Sequence, residues 1–255
     1  MPDSLQCATA DGVDATVEKD ACPMSYVVTI SGSPAVRSRS THLLAAAEES
    51  LRTRGIATRR IEPRALPAEA LLHADFAHPA IREALELVEH AQAVVIATPV
   101  YKVAYSGLLK TFLDLLPQTG LTGKPVLPIG TGGSPAHLLA LDYALRPVLS
   151  SLGARHVLSN VFATDREVPS DDSGYHLDAA VSERLTQSID QLALVWFDQA
   201  ELREHRARGS EPATFAEPAF AHATHRGTGA GVARVVAGAA SQTLSQSLSQ
   251  TRCSS

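Results

Sequence analysis

The sequence predicts an α/β protein: a doubly wound parallel sheet of five strands, in the order 2-1-3-4-5, with helices on both faces. Three observations carry this. Short β-branched runs without a charge, such as "YVVTIS" and "AVVIATP", read as strands buried on both faces. They alternate with longer segments of helical apolar spacing. Glycine, serine and proline gather just after the strands, at the carboxyl edge where such sheets bind ligands.

The first strand is 26–31. A helix over 41–54 follows, with Leu43, Leu44, Ala47 and Leu51 on one face and Gly55 as its stop. "IATRRI" (56–61) alternates like a half-buried strand near a sheet edge. Residues 62–78 contain prolines and read as irregular. "PAIREALELVEHA" (79–91) is a helix with Pro79 in its first turn. The next apolar strand is 93–99, followed by a helix over 106–117 that stops at Pro117. "KPVLPIGTGG" (124–133) is a strand running into a glycine-rich loop. A helix over 134–153, a strand over 156–163 and a long helix over 177–205 complete the domain, which spans 25–205. Residues 1–24 are polar and aperiodic and read as a disordered extension; a start at Met24 would still yield the whole domain. Residues 206–255, with "SQTLSQSLSQ", read as a low-complexity disordered tail.

Composition narrows the function. The 255 residues are 45% hydrophobic, enough for a sizeable core. The net charge of −5 argues against general nucleic-acid binding, and neither tail is a charged tract built for a polyanion. Cys7, Cys22 and Cys253 lie outside the domain and form neither a disulfide framework nor a metal pattern. His73, His78 and His90 lack metal-ligand spacing, so no metal is expected. No apolar run approaches the ~18 residues of a membrane span, and no signal peptide is visible. A cytoplasmic protein is expected.

Three loops carry the chemistry. In the first, "SGSPAVRSRST" (31–41), hydroxyls at Ser33, Ser38, Ser40 and Thr41 join Arg37 and Arg39 ahead of a helix N-terminus. Unpaired N–H groups and a positive dipole make that a phosphate cradle, suited to a monophosphate. The alternative is a serine-rich cap with solvated arginines. The second, "TPVYKVAYSG" (98–107), offers a stiff aromatic platform for a planar heterocycle or a subunit contact. The third, "GTGGSPAH" (130–137), lets a backbone approach a ligand closely at Gly132 and Gly133. "GGSPA" imitates a nucleophile elbow around Ser134 but lacks its second glycine, and Asp165 or Asp171 would have to pair with His176. His137 reads as a helix-surface residue. "GTGAGVAR" (227–234) has no strand before it and is no dinucleotide loop.

With these residues in view, the chain resembles the NADPH-dependent FMN reductases of the flavodoxin-like superfamily, in particular the reductase partners of two-component alkanesulfonate monooxygenases. The likeness rests on "SGSPAVRSRS", "ATPVYKVAYSGLLKTFLDLLP", "GKPVLPIGTGGSPAHLLALDYALRPVLSSLGA" and "VFATD", and covers about residues 26–168. It implies that Ser33, Ser38, Arg39 and Ser40 hold the FMN phosphate. Pro99, Val100, Tyr101 and Ser106 would lie along the isoalloxazine, with Gly132 and Gly133 closing its far edge. The family often has Arg two residues after the first loop serine; here that residue is Ala35, which leaves Arg39 or Arg37 to supply the charge. The resemblance implies NADPH as reductant, transfer to flavin without a catalytic acid or nucleophile, and a homodimer or homotetramer with the 106–117 helix as an interface. A monooxygenase partner would consume the reduced FMN. The alternatives are a reductase of quinones, azo compounds or metal ions with bound FMN, and a flavodoxin-like electron carrier.

One further position stands out. Pro147 interrupts a helical pattern of Leu138, Leu141, Leu145, Val148, Leu149 and Leu152. It has no N–H for the carbonyl of Tyr143, so a kink or a wide π-type turn is expected there. The resemblance implies that Tyr143 sits in a π-helical turn at the subunit interface and eases flavin exchange.

Overall fold

The structure, a computed structural model, describes residues 25–208. The N-terminal extension and nearly all of the expected tail lie outside the described residues. In chain order the elements are β1 (Tyr26–Ser31), α1 (Arg39–Arg52), β2 (Ala57–Ile61), α2 (Ala68–Leu72), α3 (Pro79–His90), β3 (Ala93–Tyr101) and β4 (Ala104–Tyr105). Then come α4 (Gly107–Leu113), β5 (Val126–Gly132), α5 (Arg146–Ser151), β6 (Val161–Thr164), β7 (Ser170–Asp171), β8 (Gly174–Tyr175) and α6 (Ala179–Arg208).

The main sheet runs β2-β1-β3-β5-β6, with all these neighbours parallel. Counting the long strands alone, this is the expected 2-1-3-4-5 order of a flavodoxin-like fold. The two-residue β4 adds a sixth strand, antiparallel to β3, and β7 and β8 form a separate hairpin. Strand alternation distributes the core to both faces. In β3, Val94 and Ile96 join Ile81 and Val88 of α3 and Phe112 of α4 on one side. Ala93, Val95 and Ala97 join Leu43, Leu44 and Leu51 of α1 and Val181, Leu185 and Ile189 of α6 on the other.

Five expectations need correction. The last strand of the main sheet starts at Val161, not at 156, and Val157 makes only an isolated bridge to Val126. Helix α1 begins two residues early, because Ser38 caps it and accepts the Thr41 N–H at 3.1 Å. The 62–78 segment is not irregular: it holds a 3-10 turn at Pro63–Ala65 and α2, whose Ala70 and Leu71 are buried. Helix α4 ends at Leu113, well before Pro117, as bonds from Leu115 to Phe112 and from Leu116 to Leu113 tighten its last turn. The expected 134–153 helix is a 3-10 turn (Pro135–Leu138), a π-helical turn (Leu141–Leu145) and α5.

Candidate active site

Buried polar side chains mark the carboxyl edge of the sheet. Ser31, Ser33, Ser40, Thr98, Ser106 and Thr131 are all buried there, at the ends of β1, β3 and β5 or in the residues that follow. A buried polar group needs partners, so such a cluster has a reason to be in place.

The first loop is a chain of hydroxyls. Ser31 Oγ lies 3.0 Å from Thr41 Oγ1, which lies 2.8 Å from Ser38 Oγ, and Ser38 Oγ lies 3.2 Å from Ser40 Oγ. Ser33 turns onto its own loop: its hydroxyl donates to the Ala35 carbonyl at 3.3 Å and accepts the Ala35 N–H at 3.2 Å. The serine-rich cap is formed, and any cradle would be built from the same residues. Ser38 satisfies the Thr41 N–H, and the first helical N–H groups, those of Arg39 and Ser40, have no intrahelical acceptor and stay open to an anion. Arg39 leans across the sheet edge. Its Nε donates to the Val168 carbonyl at 2.9 Å, its Nη1 is 3.7 Å from Asp165 Oδ1, and its guanidinium lies 5.5 Å from the Tyr175 ring centroid. Beside α1, a pocket of about 290 Å³ is lined by Arg37, Ser38, Thr41, His42, Gly174 and Tyr175, among others. Burial foremost, with His176 nearby adding to it, pushes the His42 imidazole below its ordinary value.

The second loop is a two-residue hairpin. Val100 pairs with Tyr105 and Tyr101 with Ala104, so Lys102 and Val103 form the turn, at φ 50° and 62°. A tight turn of this kind needs positive φ at both central residues and favours Asn-Gly, so a β-branched valine here is strained. Strain of this sort gathers at functional sites. Pro99 and Val100 are buried in the sheet, while Tyr101 and Val103 are exposed at the tip. Ser106 locks two loops together. Its hydroxyl donates to the Gly32 carbonyl and accepts the Leu109 N–H at 3.1 Å, capping α4. A Cβ on Gly32 would stand 2.9 Å from Leu109 Cβ, so only glycine allows this approach.

The third loop continues β5. Gly132 is within the strand, and a Cβ there would stand 2.9 Å from His137 Nδ1. His137 is thus packed on the loop rather than lying on a helix surface, and its Nδ1 is buried with no hydrogen-bond partner among the described residues. Gly133 is open: the nearest atom to its would-be Cβ is Asp165 Oδ2, at 3.7 Å. A Cβ on Gly130 would meet Leu141 of the π turn at 2.8 Å, which seats that turn against β5. Tyr143 projects from the turn, 79% exposed.

Ser134 caps its own 3-10 turn through the Ala136 N–H. Asp171 and Ser173 both engage His176 through the same Nε2, at 2.9 and 3.0 Å, on the exposed β7–β8 hairpin. A catalytic triad uses both ring nitrogens, so no hydrolase arrangement forms. Reading the sequence missed the β7–β8 hairpin, Asp165, Val168 and Tyr175 as neighbours of the first loop; only the "VFATD" match pointed near them.

Open first-turn N–H groups, hydroxyls and arginines at the end of β1 fit a phosphate monoester. The hairpin of β3 and β4 and the end of β5 lie at the same edge of the sheet. Together with the strand order, these features define a flavodoxin-like mononucleotide-binding protein. Residues 25–168 match the NADPH-dependent FMN reductase family, and the chain belongs to it. It is 47% identical over 166 residues to an FMN reductase (NADPH) of Pseudomonas putida, covering 64% of this chain and 84% of that protein. With an FMN reductase (NADPH) of Escherichia coli K12 it shares 49% over 142 residues, 56% and 74% of the two chains. The solved apo form of an NADH:FMN oxidoreductase, EMOB, superposes with a TM-score of 0.61 at 40% identity, over 67% of this chain and 89% of that one. The protein is an oxidoreductase whose reaction involves FMN and a nicotinamide nucleotide.

Proposed function

We propose that this chain treats FMN as a substrate that binds and leaves, and that it supplies reduced FMN to a separate monooxygenase desulfonating alkanesulfonates. The observation that carries the reading is the state of the cradle. Ser33, Ser38, Ser40 and Thr41 are partnered by one another or by their own loop. A departing flavin therefore strands no buried hydroxyl, and binding exchanges one set of hydrogen bonds for another.

In this reading Ser33, Ser38, Ser40 and a loop arginine take the phosphate end. Pro99, Val100, Tyr101 and Ser106 line the ring, and Gly132 and Gly133 admit its far edge. When bound, the flavin supplies the two-electron chemistry with the nicotinamide nucleotide. The protein's work is to orient the two rings and exclude water between them. Tyr143, Leu139, Tyr101 and Val103 are exposed apolar side chains on and around the π turn and the β3–β4 hairpin, elements that pack together. They form the face on which a second copy of the chain would sit.

The test is NADPH oxidation by flavin-free protein. The expected result is turnover that depends on added FMN and saturates with it, release of reduced FMN, and sulfite production when the monooxygenase and an alkanesulfonate are present. Purification with stoichiometric yellow flavin, and turnover of a quinone or azo compound without added FMN, would instead identify a reductase with resident flavin.

A further inference from the structure

We propose that the two arginines of the opening loop divide the work on the phosphate: Arg37 supplies the charge that pairs with it, and Arg39 is a positioning residue. The proposal rests on the FMN reading of the cradle.

Arg39 is already engaged. Its Nε donates to the Val168 carbonyl at 2.9 Å, Asp165 lies beside its Nη1 at 3.7 Å, and the Tyr175 ring lies beneath its guanidinium at 5.5 Å. These contacts join the start of α1 to the segment that follows β6, bridging 129 residues of sequence. Turning Arg39 onto a phosphate would strip the Val168 carbonyl of its donor and give up the ring contact. It would also bring an anion close to the Asp165 carboxylate, which already answers part of the charge. Arg37 has none of these ties. Its side chain is exposed and, among the described residues, makes no hydrogen bond or ion pair. Its Nη2 lies near Gly174, 3.9 Å from where a Cβ would be, over the pocket shared with Ser38, Thr41 and His42. Moving it onto a phosphate beside Ser38 breaks no protein bond, and the planar guanidinium offers two parallel N–H donors to the phosphate oxygens. Arg37 sits one residue before the cap of α1, so the charge enters from the loop side while the helix amides enter from below.

The experiment compares two flavins that differ in the phosphate. The full chain, freed of flavin, is titrated with FMN and with riboflavin, and its thermal midpoint is measured alongside. The wild type should prefer FMN. Arg37→Ala should reduce that preference by about 10- to 150-fold, the range for a lost charged hydrogen bond, with riboflavin affinity and thermal midpoint unchanged. Arg37→Lys should restore part of it. Arg39→Ala should lower the thermal midpoint and weaken both flavins by a similar factor, leaving the preference intact. A wild-type preference that survives in Arg37→Ala overturns the proposal while leaving the cradle standing. So does a preference lost in Arg39→Ala at an unchanged midpoint. A wild type that binds the two flavins equally overturns the cradle reading itself, and the proposal with it.

Discussion

Adjacent glycines in the third loop have different reasons to be glycine. At Gly132 a methyl group would stand 2.9 Å from His137 Nδ1, inside the packing of the loop on its own helical turn. At Gly133 nothing lies nearer than 3.7 Å, and the position is exposed. Gly132→Ala should therefore destabilise the fold by about 1–3 kcal/mol in urea unfolding. His137→Ala, which removes the clashing ring, should recover most of that loss in the double variant. Gly133→Ala should leave stability unchanged and, if this loop admits the flavin edge, weaken flavin. Equal destabilisation by both substitutions would show that the two positions share a packing role. The sequence "GTGG" announces close approach but cannot say to what. The partner at Gly132 is a side chain five residues on, and its placement depends on how the chain turns after the strand.

Elements are legible in the sequence wherever the pattern is long and apolar, and obscure where local bonds set the boundary. The strands at the centre of the sheet were legible because they are buried on both faces and uncharged. The start of α1 was misplaced because a cap can sit at any of several serines, and only the fold selects Ser38. Pro147 cannot donate to the Tyr143 carbonyl, which announces either a kink or a wide turn; the π-helical form at Leu141–Leu145 is legible only through the family resemblance. The β7–β8 hairpin is not legible, since two-residue strands carry no periodicity. Next to it, Glu167 ties β6 to α6. Glu167 accepts the Thr164 N–H and hydroxyl, each at 2.8 Å, and Arg184 donates to it at 2.9 Å. The Thr164 N–H foremost, with Arg184 assisting and burial opposing, holds this carboxyl below its ordinary value. A carboxylate depressed in the folded state adds stability above its unfolded pKa, and that stability disappears as pH falls through the folded value. The urea midpoint should therefore drop on acidification from neutral pH to below about 4. Glu167→Gln should be less stable than wild type at pH 7 and should show a shallower drop.

At the scale of the whole molecule, the question is what covers the apolar side chains around the site. Tyr143 is 79% exposed, Val103 63%, and Leu139 and Tyr101 each 52%, on elements that pack against one another. A strained β-branched residue at a hairpin tip and a tyrosine on a π turn are costly to leave in water without purpose. A second copy of the chain, seated over this face, would cover them and hold the loops around the flavin site in the form from which FMN exchanges. The lifetime of bound FMN would then depend on subunit contact as much as on the cradle. Tyr143→Ala separates these contributions. The side chain is mostly in solvent within one subunit, so its loss should change the subunit's unfolding free energy by no more than about 0.5 kcal/mol. The sedimentation profile should shift toward smaller species at a given concentration. The variant should also hold FMN more persistently and pass less reduced flavin to the monooxygenase. If association, FMN off-rate and coupled turnover all match the wild type, Tyr143 belongs to the turn alone and exchange is set within the single subunit.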